Sequence, residues 1–171
     1  LTSLPVDLFR YNTKATNFYR TFYDCENLTT IPADLFKYNT LNTSFNRTFE
    51  NCTSLTEIPT GVFDGAVNVI NFQYTFSNCT SLTTISSNLF DYATEVEDYA
   101  FKSTFYNCTS LVSIPAGLFD NNTKVGNEGF ESTFNNCNSL TNIPEDLFKY
   151  NTNCNSWERC FYLCNKLSLN P

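Results

Sequence analysis

The chain of 171 residues has no histidine, no methionine, one tryptophan and only five glycines, and its ten Lys and Arg are outnumbered by 17 Asp and Glu. Each shortage removes a class of function. Without histidine there is no ordinary general base, no imidazole metal ligand and no side chain that titrates near neutrality, so a Ser-His-Asp or Cys-His nucleophile cannot be built within the chain. The formal net charge is −7. Basic residues this few and this scattered cannot neutralise a row of phosphates, which excludes nucleic acid as a partner. No apolar run approaches the roughly 20 residues of a membrane span, and no charged-then-apolar leader opens the sequence.

Apolar and aromatic residues, at 42% and 16%, are ample for a buried core. Cys25, Cys52, Cys79, Cys108, Cys137 and Cys164 follow one another at 27, 27, 29, 29 and 27 residues. That period divides the chain into residues 1–27, 28–54, 55–81, 82–110, 111–139 and 140–166, with a stub at 167–171, all one repeat domain. Every one of the 17 Phe falls into three columns. Phe9, Phe36, Phe63, Phe90, Phe119 and Phe148 form the first. Phe18, Phe45, Phe72, Phe101 and Phe130 form the second, completed by Trp157. Phe22, Phe49, Phe76, Phe105, Phe134 and Phe161 form the third.

A period of this length is too short for a propeller blade or a helix-pair repeat and predicts an α/β solenoid of six stacked coils. Within each coil the L-T-x-I segment predicts a short parallel strand. The proline after it, as at Pro32, predicts a short helix such as Pro32–Tyr38, because its fixed φ suits a first helical turn. The following N-T predicts a turn, V-x-x-F a second extended piece, and T-F-x-N-C-T a helical or 3₁₀ turn. Such coils bury their apolar edge only by stacking, which lines identical residues into ladders.

The run T-F-x-x-C-T-S-L-x-x-I-P-x-x-[LV]-F, as in Thr48 to Phe63 and Thr104 to Phe119, resembles the BspA-type leucine-rich repeats of bacterial and some protist surface proteins. The resemblance runs over essentially the whole chain. It implies a leucine-rich-repeat-like right-handed coil, an extracellular or cell-surface location, and an adhesin-like, non-enzymatic role in binding a protein or glycan on another cell. It brings no catalytic residues, cofactor or metal with it.

The six periodic cysteines are expected inside as small apolar thiols. Cys154 and Cys160 break the register, replacing consensus Val and Thr; a bridge between them suits an exported chain, and a pair of inert thiols is the alternative. The N-x-[ST] triplets at Asn27, Asn42, Asn46, Asn51, Asn78, Asn107 and Asn121 read as turn residues or as glycan acceptors. Repeats four and five each carry two extra residues, within Glu95–Ala100 and Lys124–Gly129, which must bulge on one face; Glu95, Glu97, Asp98 and Glu128 lie there. The pairs Tyr19-Arg20, Asn46-Arg47, Gln73-Tyr74, Lys102-Ser103, Glu131-Ser132 and Glu158-Arg159 change chemistry from coil to coil at one fixed position, which is what a recognition surface needs and also what surface drift produces. Tyr11, Tyr38, Tyr92 and Tyr150 make one tyrosine row and Tyr23, Tyr106 and Tyr162 another, either a sugar- or protein-binding stripe or a cover for the Phe core.

Two other classes stay open. With no polar cap before Leu1, adjoining repeats or domains of the same polypeptide are expected, and the segment could be a spacer or filament that presents another domain. A carboxylate-only enzyme would need an Asp/Glu pair facing a cleft.

Overall fold

A computed structural model describes residues 1–168. The chain winds as a continuous coil in which the backbone N–H groups alternate between two kinds of partner. In the second coil Thr48, Glu50 and Cys52 donate to the carbonyls three residues back, Phe45, Arg47 and Phe49. The residues between them, Phe45, Arg47, Phe49 and Asn51, donate forward to Asn71, Gln73, Thr75 and Ser77 of the next coil at 2.9–3.0 Å. Half of the hydrogen bonds thus close turns and the other half tie coils together.

This pattern replaces the expected helices and strands. Among the described residues there is no helix, and the only ladder pairings are two isolated parallel bridges, Ser44 with Asn71 and Glu57 with Thr84. Pro32–Tyr38 is a pair of successive turns, Leu35 donating to Pro32 and Lys37 to Asp34, rather than a helix. In T-F-x-N-C a left-handed residue recurs every fourth position, and a helix cannot continue through positive φ. Fourteen non-glycine residues have φ between 49° and 64°, two in each coil and one more in each of the lengthened coils.

The core is the three Phe columns. Rings in one column lie 5.3–6.3 Å from their neighbours in adjacent coils, near-parallel as in Phe49–Phe76 at 5.5 Å and 2°. Rings of different columns meet at a tilt across the coil, as Phe45–Phe63 do at 4.5 Å. Such arrangements add about 0.5–1.5 kcal/mol per pair to area burial. Trp157 does not complete its column: it contacts Phe148 at 6.0 Å and is 40% exposed.

Polar columns surround the rings and satisfy the carbonyls that the turns leave free. Thr48 Oγ1 donates to Phe18 O and Phe45 O at 2.9 and 2.7 Å, and Thr75 repeats this on Phe45 and Phe72. Each column cysteine from Cys52 onward donates its thiol to a phenylalanine carbonyl of the preceding coil at 3.1–3.3 Å. Buried Asn39, Asn122 and Asn151 bond two carbonyls of the coil before, where the third and fourth coils place Ala66 and Ala93.

Candidate functional site

The six variable pairs occupy one structural position. In every coil they are the two central residues of a four-residue turn closed by a hydrogen bond, Phe18 to Thr21 in the first coil and Trp157 to Cys160 in the sixth. The second residue of each pair, Arg20, Arg47, Tyr74, Ser103, Ser132 or Arg159, has φ of 54–58°, the mark of a type II turn. A turn corner points its central side chains outward, so the pairs form one lane along the solenoid. The lane does not have uniform exposure: Tyr19, Arg20, Glu158 and Arg159 are exposed, Asn46, Arg47, Gln73, Tyr74, Lys102 and Glu131 are half-buried, and Ser103 and Ser132 are buried.

Contacts between successive coils make the lane a network. Arg20 lies 5.2 Å from the Tyr19 ring and 4.8 Å from that of Tyr23. Arg47 donates to both oxygens of Glu50 at 2.9 and 2.7 Å and lies 4.1 Å from the Tyr74 ring of the next coil. Partial burial is the largest single influence on Arg47 and opposes its charge, but the Glu50 hydrogen bond and the Glu50 charge together raise its pKa. Lys102 reaches Glu131 at 2.6 Å and Glu128 at 3.8 Å. The Glu131 hydrogen bond raises the Lys102 pKa. Burial disfavours the Glu131 carboxylate, yet its interactions with Lys102 and Glu128 hold it below its ordinary value, while the neighbouring Glu131 carboxyl pushes Glu128 up.

The insertions of the fourth and fifth coils stand directly before this lane. Each is one further turn with a left-handed corner, at Tyr99 (φ 58°) and at Glu128 (φ 49°). Lys102 lies 5.5 Å from the Tyr99 ring, so a single ammonium joins both inserted turns to the corner lane. Asp98 accepts from Asn127 N at 2.7 Å and from its side chain at 3.2 Å, and Asn155 extends the row to Asn127 at 2.5 Å. Glu97 is exposed on the same turn. Glu95 is set apart, paired with Lys124 at 2.7 Å. Among the described residues no group of His, Cys, Asp or Glu has metal-binding geometry, and the described segments contain no membrane-spanning helix.

Cys154 and Cys160 are two free buried thiols, Cys154 donating to Ser156 O at 3.3 Å. The sequon residues Asn51, Asn78 and Asn107, with Asn136 of the same N-C column, lie in left-handed corners and form a side-chain ladder. Starting at Asp24, each amide donates to the coil before at 2.5–2.8 Å. Of these, Asn136 lacks the sequon's hydroxyl residue. The tyrosine row Tyr11, Tyr38, Tyr92 and Tyr150 is exposed rather than laid over the Phe core. Sequence reasoning missed Glu50, whose carboxylate neutralises Arg47; its spacing of three from Arg47 was the available signal.

No protein-family model matches the sequence, and no curated protein does. Solved structures with similarity to the chain include a leucine-rich repeat protein of Bacteroides ovatus, with 18% identity and a TM-score of 0.44, which covers 98% of this chain and 40% of that one. A leucine-rich repeat protein of Eubacterium ventriosum has 21% identity and a TM-score of 0.42 over 85% of this chain and 30% of its own. A leucine rich cell surface protein of Faecalibacterium prausnitzii has 20% identity and a TM-score of 0.25 over 82% of this chain and 42% of its own. The chain therefore spans well under half the length of these proteins. The chain's own cross-coil hydrogen bonds and stacked rings make it a repeat solenoid.

Proposed function

We propose that the chain is a non-enzymatic module that binds a protein or glycan at the surface of a microbial cell, and that the corner lane with its two inserted turns is the binding face. One observation carries the reading: the buried columns repeat coil after coil, while the outward corner pairs on the same backbone run from Tyr-Arg through Gln-Tyr to Glu-Arg. A rigid scaffold with a varied face binds through many modest contacts at small conformational cost. The extracellular placement rests on the resemblance of the repeats to those of surface proteins.

The test is an array of cell-surface and matrix proteins and glycans, probed with the chain and with the triple variant Tyr19→Ala, Gln73→Ala, Glu158→Ala. These first corner positions carry ordinary backbone geometry, so the variant should melt as the parent does. Loss of every hit in the variant supports the lane; hits that survive it place binding elsewhere.

A second reading, a stiff spacer or filament segment that presents another domain, draws on the unbroken Phe columns from Phe9 to Phe148 and Phe22 to Phe161. Light scattering that grows with concentration, with no array hits, favours it.

A further inference from the structure

The side of the coil away from the corner lane carries a second surface. Phe9 and Phe18 meet ring to ring at 4.9 Å across the core, so the residues that follow them, Arg10-Tyr11 and Tyr19-Arg20, leave the coil on opposite sides. On the Arg10 side the first and second coils enclose a depression of about 260 Å³ lined by Val6, Asp7, Arg10, Asp34 and Tyr38. The Arg10 guanidinium sits 5.9 Å from the Tyr11 ring and 5.6 Å from the Tyr38 ring, and 3.5 Å from Asp7. Lys37 is 3.3 Å from Asp34. Tyr11 lies outside this lining and is 87% exposed.

From this geometry we propose that the depression is a site for a neutral hexose. Its volume is below the roughly 300–1,000 Å³ of drug-sized pockets and suits one sugar ring. The Tyr38 ring offers an apolar, electron-rich surface for the C–H face of a pyranose. The Asp7 and Asp34 carboxylates accept from hydroxyls, and Arg10 donates to them. With Lys37 paired to Asp34 outside the lining, two carboxylates against two cations leave no net charge, so an acidic sugar gains nothing over a neutral one. Only these two coils bring the elements together. The sixth repeats Asp146, Lys149 and Tyr150 beside a coil with Asn121 in the tyrosine row, and the third to fifth have Asp64, Asp91 and Asp120 in place of the cation. The site is independent of the corner lane, and either can fail without the other.

Saturation-transfer NMR on the chain with glucose, galactose and mannose, and with N-acetylneuraminic acid as the acidic comparator, tests the proposal. At least one neutral hexose should bind with a dissociation constant on the order of millimolar. Tyr38→Ala should weaken it about tenfold or more, about 1.4 kcal/mol or more, whereas Tyr38→Phe and the third-coil surface variant Glu57→Ala, at an exposed residue outside both the depression and the corner lane, retain it. Melting curves check that all three variants fold. Absence of transfer to every neutral hexose, binding of the acidic sugar alone, or equal loss in Glu57→Ala and Tyr38→Ala overturns the proposal.

Discussion

The Arg47 guanidinium lies 4.1 Å from the Tyr74 ring, one coil further along, while its own turn supplies the Glu50 carboxylate at 2.7 Å. One side chain therefore closes a turn and ties two coils together. Glu50 retains only 9% side-chain exposure, so the Arg47 guanidinium is the partner that offsets the cost of burying it.

Arg47→Ala should lower stability by about 2 kcal/mol in urea denaturation, less than the roughly 3–5 kcal/mol of a fully buried pair because Arg47 is 27% exposed. Tyr74→Ala should cost about 1 kcal/mol through the lost cation–π contact, and the double variant should show coupling of that order. Additive single and double values would mean that the contact contributes nothing.

The thiol column makes stability sensitive to alkali. Burial pushes Cys52 and Cys160 from the ordinary 9.0 up to about 12, and it also raises Cys79, Cys108 and Cys137. Below pH 9 these thiols are protonated in the folded and unfolded chain alike, and their contribution is fully present. Above it only the unfolded chain releases the protons, so stability falls by about 1.4 kcal/mol per pH unit for each thiol until the folded value is reached. Urea midpoints between pH 8 and 11 should drop steeply, and Cys79→Ala should make the slope shallower. Before unfolding, these five thiols should be silent to a thiol reagent.

Leu163 holds the left-handed corner (φ 61°) that Asn136, Asn107 and Asn78 hold in earlier coils. Leucine gains nothing in that conformation, whereas asparagine tolerates it. Leu163→Asn should let its amide donate to Asn136 and extend the ladder, raising stability by about 1 kcal/mol in the urea midpoint. No change would show that the ladder stops at Asn136 for want of a partner coil geometry.

Gly65 takes the place of a tyrosine in the exposed row because a Cβ there would stand 2.5 Å from Phe36 O and 2.8 Å from Lys37 O. Both atoms are backbone and cannot move aside. Gly65→Ala should cost about 2–3 kcal/mol by thermal or urea melting, a large effect for one methyl on the side of a solenoid.

How much could be read without coordinates differs from column to column. The Phe, Cys and Thr columns were legible because burial repeats with the period, and Phe76 lies between Phe49 and Phe105 as its place in the repeat requires. The corner lane was legible as a set of positions, since Tyr19, Gln73 and Glu158 share a register while differing in chemistry. The depression at Asp7, Arg10 and Tyr38 was only half legible: the tyrosine row was visible, but not that Arg10 lies between two of its rings. Trp157 shows the reverse case, a residue in register that does not stack.

The amino-acid order alone carried the period and the buried Phe columns, because hydrophobic burial repeated at a fixed period leaves one register in which the Phe rings stack on one another. Only the tertiary structure decided the path of the main chain. Pro32–Tyr38 closes as two separate turns, Leu35 donating to Pro32 and Lys37 to Asp34, and L-T-x-I stays extended with too few cross-coil bonds for a ladder, as in the bond from Thr29 N to Thr2 O. It also decided the left-handed corners at Arg47, Tyr74 and Ser103, residue types with no intrinsic preference for positive φ, which are held there by hydrogen bonds from the coils on both sides.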